Sequence, residues 1–410
     1  MSTKRSMSRR GSAYVMVLAI SLLVAVIGVA ALTAVRVQLR TSANSSDAED
    51  ARVLAQSGVE WVRALINLDP NWRTNYTSGS SATIALGGGS FTASAADPVD
   101  NDYTNSPLDP IRINVTGFKG RARQKVTVTL APSLTANTCL NAAMSVAGVA
   151  SFTSGTVTGG LIATNSNMVL TGSTKMDTNV EATGTFSGTS YYASKTSGVA
   201  ARQMPDSTAF DYYIRNGTSI PYPSGKDLAN IVLSPASNPY GTANPLGIYV
   251  MDCADKTVNV KNVRVVGTLV LLNPKNDSTV DLQVNFAPAV PNYPTLMVLG
   301  SITFSYDNTS LTEGASKNFN PPGTPYNGVS NLTTTDTYPS ILNGLVYVSG
   351  NLILKNNNTL GGPLIVGGTM TSANNLTVKY DSTYLNSPPP GFFDVPPMKV
   401  SASTWAQTVD

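Results

Sequence analysis

The chain has 410 residues, 42% hydrophobic and only 12% charged, with 27 Lys and Arg against 24 Asp and Glu. Four of those basic residues (Lys4, Arg5, Arg9 and Arg10) fall in the first ten positions, so the remainder is near neutral and carries neither a nucleic-acid footprint nor a polybasic lipid patch. Histidine is absent, which removes Ser-His-Asp and Cys-His nucleophiles and the usual zinc sites; no catalytic residue, metal ligand, cofactor or small-molecule substrate is assigned, and the chain is read as not an enzyme.

Residues 1–11 form a basic leader. The stretch 12–35 that follows is uncharged and apolar, and about 20 such residues span a bilayer core as a helix, so Ala13 to Val35 reads as transmembrane. The leader's charges hold the N-terminus in the cytoplasm and send the rest across. Residues 36–69 read as an amphipathic continuation of the same helix: Ala51, Ala55, Gly58, Val62 and Leu65 recur at alternating spacings of four and three, a narrow stripe on one face. No proline interrupts the chain between Ser12 and Asp69, and Asp69-Pro70 is a stop signal.

Residues 70–135 carry short alternating runs. Ile84 and Leu86 lead to Gly87-Gly88-Gly89 and Phe91; Ile111, Ile113 and Val115, then Val126, Val128 and Leu130, flank a Gly-containing turn, as in a hairpin. A small sheet packed on the helix is expected. Asp97, Asp100, Asn101 and Asp102 between these runs read as a solvated loop; such oxygens also suit a hard cation such as calcium, although no Asp-x-Asp-x-Asp-Gly loop is present.

Residues 136–380 repeat a short apolar run, a glycine and another short run, as in Leu296–Phe304, Leu345–Leu354 and Leu364–Met370, with a spacing near twenty. That pattern predicts a right-handed parallel β-helix-like solenoid, each turn stacking on the next, with Asn356–Asn358 and Asn374-Asn375 in turn ladders. A β-sandwich is the alternative. Residues 200–245 interrupt the coil, with a short helix from Pro205-Asp206-Ser207 to Ile214, and 381–410 read as a Pro-rich tail stiffened by Pro388 to Pro390. Cys139 and Cys253, outside the cytoplasm, could pair as a disulfide. Asp252 and Asp255 beside Cys253 are the acids nearest to glycosidic chemistry, but they stand in a turn-like polar setting. The fold class is α+β.

Arg10-Gly11, the run Tyr14 to Leu32 and the stretch Ala48 to Glu60 together resemble type IV pilins and pseudopilins, in particular PilX-type minor pilins and the large minor pseudopilin of type II secretion. The resemblance implies cleavage by a prepilin peptidase between Gly11 and Ser12. Ser12 would then stand first, where the family usually has Phe or Met, and Met16 fifth, where major pilins carry a glutamate. It also implies a non-enzymatic tip or initiating subunit, anchored once in the inner (cytoplasmic) membrane, with a periplasmic or extracellular C-terminal domain or a place in a surface pilus. Its partners would be other pilins or pseudopilins and membrane lipid, met through the face Ala51, Ala55, Gly58, Val62 and Leu65. The alternatives are a plain anchored surface adhesin or envelope protein, and a carbohydrate-active β-helix enzyme.

Overall fold

Without a proline to break it, the first helix is continuous: in the computed structural model, α1 runs Arg10–Leu68 over 59 residues, about 88 Å at 1.5 Å per residue. The structure describes residues 10–106, 108–133, 135–314, 317–394 and 397–409. Leader residues 1–9 lie outside that set. At the helix end Asp69 Oδ1 accepts from the backbone N–H of Asn71 at 2.9 Å, turning the chain as the Asp-Pro signal predicts. The described residues fall into two compact units. One holds those up to Ser133 together with those from Pro397 onward, and the other those between.

In the first unit, β1 (Ser81–Leu86), β2 (Gly89–Ala96), β3 (Ile111–Lys119) and β4 (Ala122–Pro132) form an antiparallel meander. Gly87 and Gly88 both have positive φ, which the two-residue turn between β1 and β2 requires. The alternation read from sequence is the burial pattern: Ile111, Ile113, Val115, Val126, Val128 and Leu130 are all fully buried. Part of the expected tail is no tail. Met398–Val400 and Ala406–Val409 return to pair antiparallel with β4, Met398 enters the apolar cluster under the sheet, and the Asn67 amide holds the Met398 backbone by both its N–H and C=O, at 2.8 and 3.2 Å. The gain is clear: β4 would otherwise be an open edge. Pro388 to Pro390, expected to stiffen an exit, are buried in the second unit.

The second unit is built from parallel strands mostly three residues long, joined in ladders of 14 and 10 strands. Met144–Val146 pairs in register with Ile162–Thr164, and that strand with Val180–Ala182; Val346–Val348 pairs with Leu364–Val366. The regular turns take 18 residues, as Met144 with Ile162 and Val346 with Leu364 show, slightly under the spacing read from sequence because Val346, not Leu345, is the partner of Leu364; other turns take 15 residues (Val180 to Lys195), 20 (Ile248 to Thr268) or 50 (Leu296 to Val346). Side chains pointing inward from successive turns make one continuous apolar core. The Asn ladder is present: Asn357 Oδ1 accepts from Asn375 N at 3.3 Å, and Asn375 Oδ1 from Thr156 N at 2.8 Å. Parallel pairing throughout these ladders is the coil and not the sandwich.

The winding order is discontinuous. The ladder reads 195–197, 180–182, 162–164, 144–146, 364–366, 346–348, 296–299, 268–272, 248–252, 218–219. The coil therefore starts in its own middle and winds outward to Lys195–Ser197. It then crosses to Thr218–Ser219 at the other end and winds back until its last turn pairs with its first. The crossing contains the predicted helix: Ser207–Phe210 runs into Asp211–Asn216, with Asp206 accepting from Thr208 N at 2.8 Å. It is shorter than the expected 200–245 insertion, because Asp227–Leu233 is already a coil strand paired with Asn259–Val266. A second excursion between 307 and 340 went unread.

Gly159 sits on the seam where last and first turns meet, with φ of 120° and space for a Cβ only 2.0 Å from the Val378 carbonyl oxygen. Gly159→Val should therefore destabilise the coil by about 3 kcal/mol. A lower denaturant midpoint by far-UV circular dichroism would show it, and an unchanged midpoint would contradict the seam.

Candidate anchoring and assembly surface

The first half of α1 is apolar and unburied. None of the residues from Ala13 to Val35 is buried, and α1 is long and apolar enough to cross a membrane. No charge interrupts it before Arg36 and Arg40. From Ala13 to Val35 the rise is about 35 Å, which fits a hydrocarbon core of roughly 30 Å with some tilt. Ser21 and Thr33 satisfy their hydroxyls within the helix: Ser21 Oγ donates to Leu18 O at 2.9 Å, and Thr33 Oγ1 to Ala30 O at 2.8 Å. Hydrogen bonds closed on the helix itself are what a hydrocarbon medium demands. Met16 is 67% exposed on this surface.

The second half behaves differently from expectation. Ala51, Ala55, Gly58 and Val62 are buried and Leu65 is half-buried, because this side of the helix packs against β2, β3 and β4 of its own unit. They are not a free assembly face. A Cβ on Gly58 would lie 2.5 Å from Val115 Cγ1 and 2.7 Å from Phe91 Cδ2, and one on Gly117 would lie 2.0 Å from the Ala51 carbonyl oxygen. The stripe is small so that the sheet can reach the helix backbone. What the helix leaves free here is a polar side with two exposed ion pairs, Arg52–Glu49 at 2.8 Å and Arg63–Glu60 at 3.3 Å, together with Val53 and Leu68.

Cys139 and Cys253 do not pair. Both are buried free thiols, Cys139 in a cluster with Phe210, Tyr213 and Tyr347, Cys253 inside the coil core. Burial pushes each thiol up to about 12, the opposite of a reactive nucleophile. Asp252 and Asp255 are both exposed, in the turn around Ala254. Sequence reasoning missed two buried charges in the coil unit. Arg264 donates to the carbonyls of Phe319, Thr324 and Pro325 at 2.6, 2.9 and 2.7 Å, and lies 5.4 and 5.5 Å from the rings of Tyr326 and Tyr338. Glu313 accepts from Phe319 N, Asp336 N and the Tyr338 hydroxyl. Together they tie the 307–340 excursion to the coil.

In the loop between β2 and β3, carboxylate oxygens of Asp97, Asp100 and Asp109 lie within 4.8 Å of one another. Asp102 turns away to accept from Thr104 N at 2.8 Å, and Asn101 Oδ1 accepts from Ser78 Oγ at 2.6 Å. Asp109 was not among the residues singled out. Its carboxyl is held above the usual range by burial and by Asp97 and Asp100, opposed by Arg73.

No protein-family model matches the chain, and no curated protein matches it in sequence. Among solved structures it is similar to the competence-associated pilin ComZ from Thermus thermophilus (12% identity, 89% of this chain and 98% of that one, TM-score 0.31). It is also similar to an ice-binding protein from an Antarctic biological consortium (11% identity, 61% and 91%, TM-score 0.26), and to one from the Antarctic ascomycete Antarctomyces psychrotrophicus (14% identity, 60% and 98%, TM-score 0.21). Likenesses at these scores assign neither a fold nor a role.

Two outcomes follow from the packing. Gly58→Leu should destabilise the first unit by about 3 kcal/mol or more, seen by tryptophan emission, since Trp61, Trp72 and Trp405 all belong to that unit. The two thiols should resist alkylation in the folded protein and react once it is unfolded. Because the unfolded chain releases those protons near pH 8.5 and the folded one only near 12, stability should fall as pH rises from about 8.5 towards 12. Denaturant midpoints at pH 7 and pH 10 measure that loss, which Cys139→Ala with Cys253→Ala should reduce.

Proposed function

We propose that this chain is a membrane-anchored, pilin-like minor subunit that works by assembly and display and performs no chemistry of its own. The observation that carries the reading is α1. One unbroken helix gives its first half no protein partner and buries one side of its second half under an antiparallel sheet. Such a helix suits a subunit that is stored in a membrane and drawn into a bundle of like helices. The basic leader keeps the N-terminus cytoplasmic, and a prepilin peptidase cuts between Gly11 and Ser12. The filament is a type IV pilus or the pseudopilus of type II secretion, and the subunit is of the PilX or large minor pseudopilin kind.

With the Ala51 to Leu65 stripe occupied by its own sheet, contact with other pilins falls to the exposed half from Ala13 to Val35. At Met16 this half lacks the carboxylate that would pair with a neighbour's N-terminal amine, a charge pair worth far more in lipid than in water. A subunit without it joins at the tip or initiates the filament, in few copies, and carries the coil unit there.

The test is N-terminal sequencing of protein extracted from membranes, with counting of copies in isolated filaments. A start at Ser12 and a few copies per filament are expected. A start at Met1 with no filament association would instead make the chain a plain anchored surface protein, and abundant regularly spaced copies would reject the tip position.

A further inference from the structure

Three neighbouring strands of the coil, Asp227–Leu233, Asn259–Val266 and Thr279–Ala287, share one irregularity. Asn230, Asn262 and Leu282 all have positive φ, at 54°, 50° and 54°, a region that residues other than glycine enter at a cost. Asn230 stands opposite Asn262, between the pairs Ala229 with Lys261 and Ile231 with Val263. On the next strand the pairing leaves Asp281 and resumes at Val284, so Leu282 and Gln283 together oppose Asn262. The extra residue is a β-bulge, which re-aims a side chain. It brings Asn230, Asn262 and Gln283 together along one side of a cavity of about 300 Å³, and Thr312, Lys317 and Phe319 of the 307–340 excursion form the other side.

Amides elsewhere on these strands are spent within the fold. Asn259 Nδ2 donates to Asp227 Oδ1 at 2.8 Å, and Asn259 Oδ1 accepts from Thr279 Oγ1 at 3.1 Å. Asn285 Nδ2 donates to the Pro339 carbonyl at 3.0 Å. The side chains of Asn230, Asn262, Gln283 and Thr312 bond to no other group among the described residues, and Lys317 pairs with no acid there. The facing wall is fixed by the two buried charges: Glu313 accepts from Phe319 N and Arg264 donates to Phe319 O, both at 2.6 Å. A fixed wall opposite unspent polar groups is preorganised, which spares a ligand the cost of ordering it.

We propose that this cavity binds one hexuronic acid unit of an acidic saccharide, with Asn230, Asn262 and Gln283 on its ring hydroxyls and Lys317 on its carboxylate. An amide both donates and accepts, and so does a hydroxyl, so the two match in either sense. A phosphate or sulfate only accepts and would leave three amide oxygens facing it without a donor. An apolar ligand would find too little apolar wall to reward its burial. Lys317 supplies the charge on the lining, and an ammonium bonds most strongly to an ionised oxygen. Parallel strands stand about 4.8 Å apart, so the three amides cover about 10 Å, the reach of a ring with its substituents. The volume lies at the small end of ligand pockets, roughly 300–1,000 Å³, which suits one ring rather than a chain. This inference rests on the coil unit alone and stands whether or not the chain enters a filament.

Isothermal titration calorimetry tests it on the full-length protein, in a detergent without a sugar headgroup and with EDTA present to exclude ion bridging. Trimers of galacturonate, glucuronate and mannuronate are titrated separately, and the one bound best is titrated again as its methyl ester. Saturable one-to-one binding of at least one trimer is expected. The ester should bind at least about tenfold more weakly, since a hydrogen bond between charged groups is lost. Lys317→Met should weaken the trimer by a similar factor and leave its ester unaffected. Asn262→Gly, which keeps a residue at ease with positive φ, should weaken both ligands about two- to tenfold. Should that variant fold poorly, Gln283→Ala should give the same loss with unchanged circular dichroism. Binding of none of the three trimers would overturn the site. Undiminished binding in folded Gln283→Ala would place the ligand elsewhere and overturn it too, and equal affinity for the methyl ester would overturn the choice of a uronic acid.

Discussion

Backbone against backbone, α1 and β3 come closer than even a single Cβ at Gly117 would allow. Gly117 faces the Ala51 carbonyl, and Gly58 faces Phe91 and Val115. That approach decides what the rest of the first unit does. It lets one turn after another of the helix close over Ile113, Val115, Val126 and Val128, so a sheet of few strands obtains a continuous cover. It also fixes where burial stops: residues 13–46 are exposed throughout and free for another medium. The same helix therefore forms a wall of the core along one stretch and, along another, an exposed apolar rod long enough to cross a membrane.

Much of this was legible in the residues. A helix without proline, strands of period two and a turn with two glycines are local signals, and each appeared where it was read. Periodicity says that a face is covered but not by what, so the Ala51 to Leu65 stripe pointed equally to a neighbour and to the chain's own sheet. The return of Met398–Val400 was hidden for a related reason: three residues give too short an alternation to stand out among prolines. The order of the coil could not be read at all, since strands such as Leu364–Val366 and Met144–Val146 carry the same apolar pattern and fit one another as well as they fit their neighbours in sequence. Asp109 was missed because the turn that carries it back lies beyond the Asp-rich run that draws the eye.

The low charge content also has a structural reason. Successive turns of the coil are joined at their corners by neutral groups: Asn167 Oδ1 accepts from Thr185 N and Oγ1, Asn351 Oδ1 from Thr369 N and Oγ1, and Asn179 Oδ1 from Ser194 N and Oγ. An amide reaching a hydroxyl residue one turn on does what an ion pair would do, without side chains that repel along a ladder of identical positions. Such bonds are indifferent to ionic strength, whereas exposed ion pairs weaken as salt screens them.

The discontinuous winding has a consequence for biogenesis. The first turns, Met144 to Gly159, offer strands without a single charged residue, and the partners that cover them emerge only 219 residues later. At roughly 5–20 residues per second of synthesis, that edge stands open for about ten to forty seconds. The outer end of the same ladder carries Lys195 and its neighbour ladder Lys175, charges of the sort that discourage strand addition; the inner edge has no such guard. Nascent chains held on neighbouring ribosomes thus present each other with the same unsealed template, and crowding or slow elongation turns a folding route into a route to aggregates. Arrival of the final turn ends that exposure, so the yield of intact protein depends on how promptly the last strands follow the first.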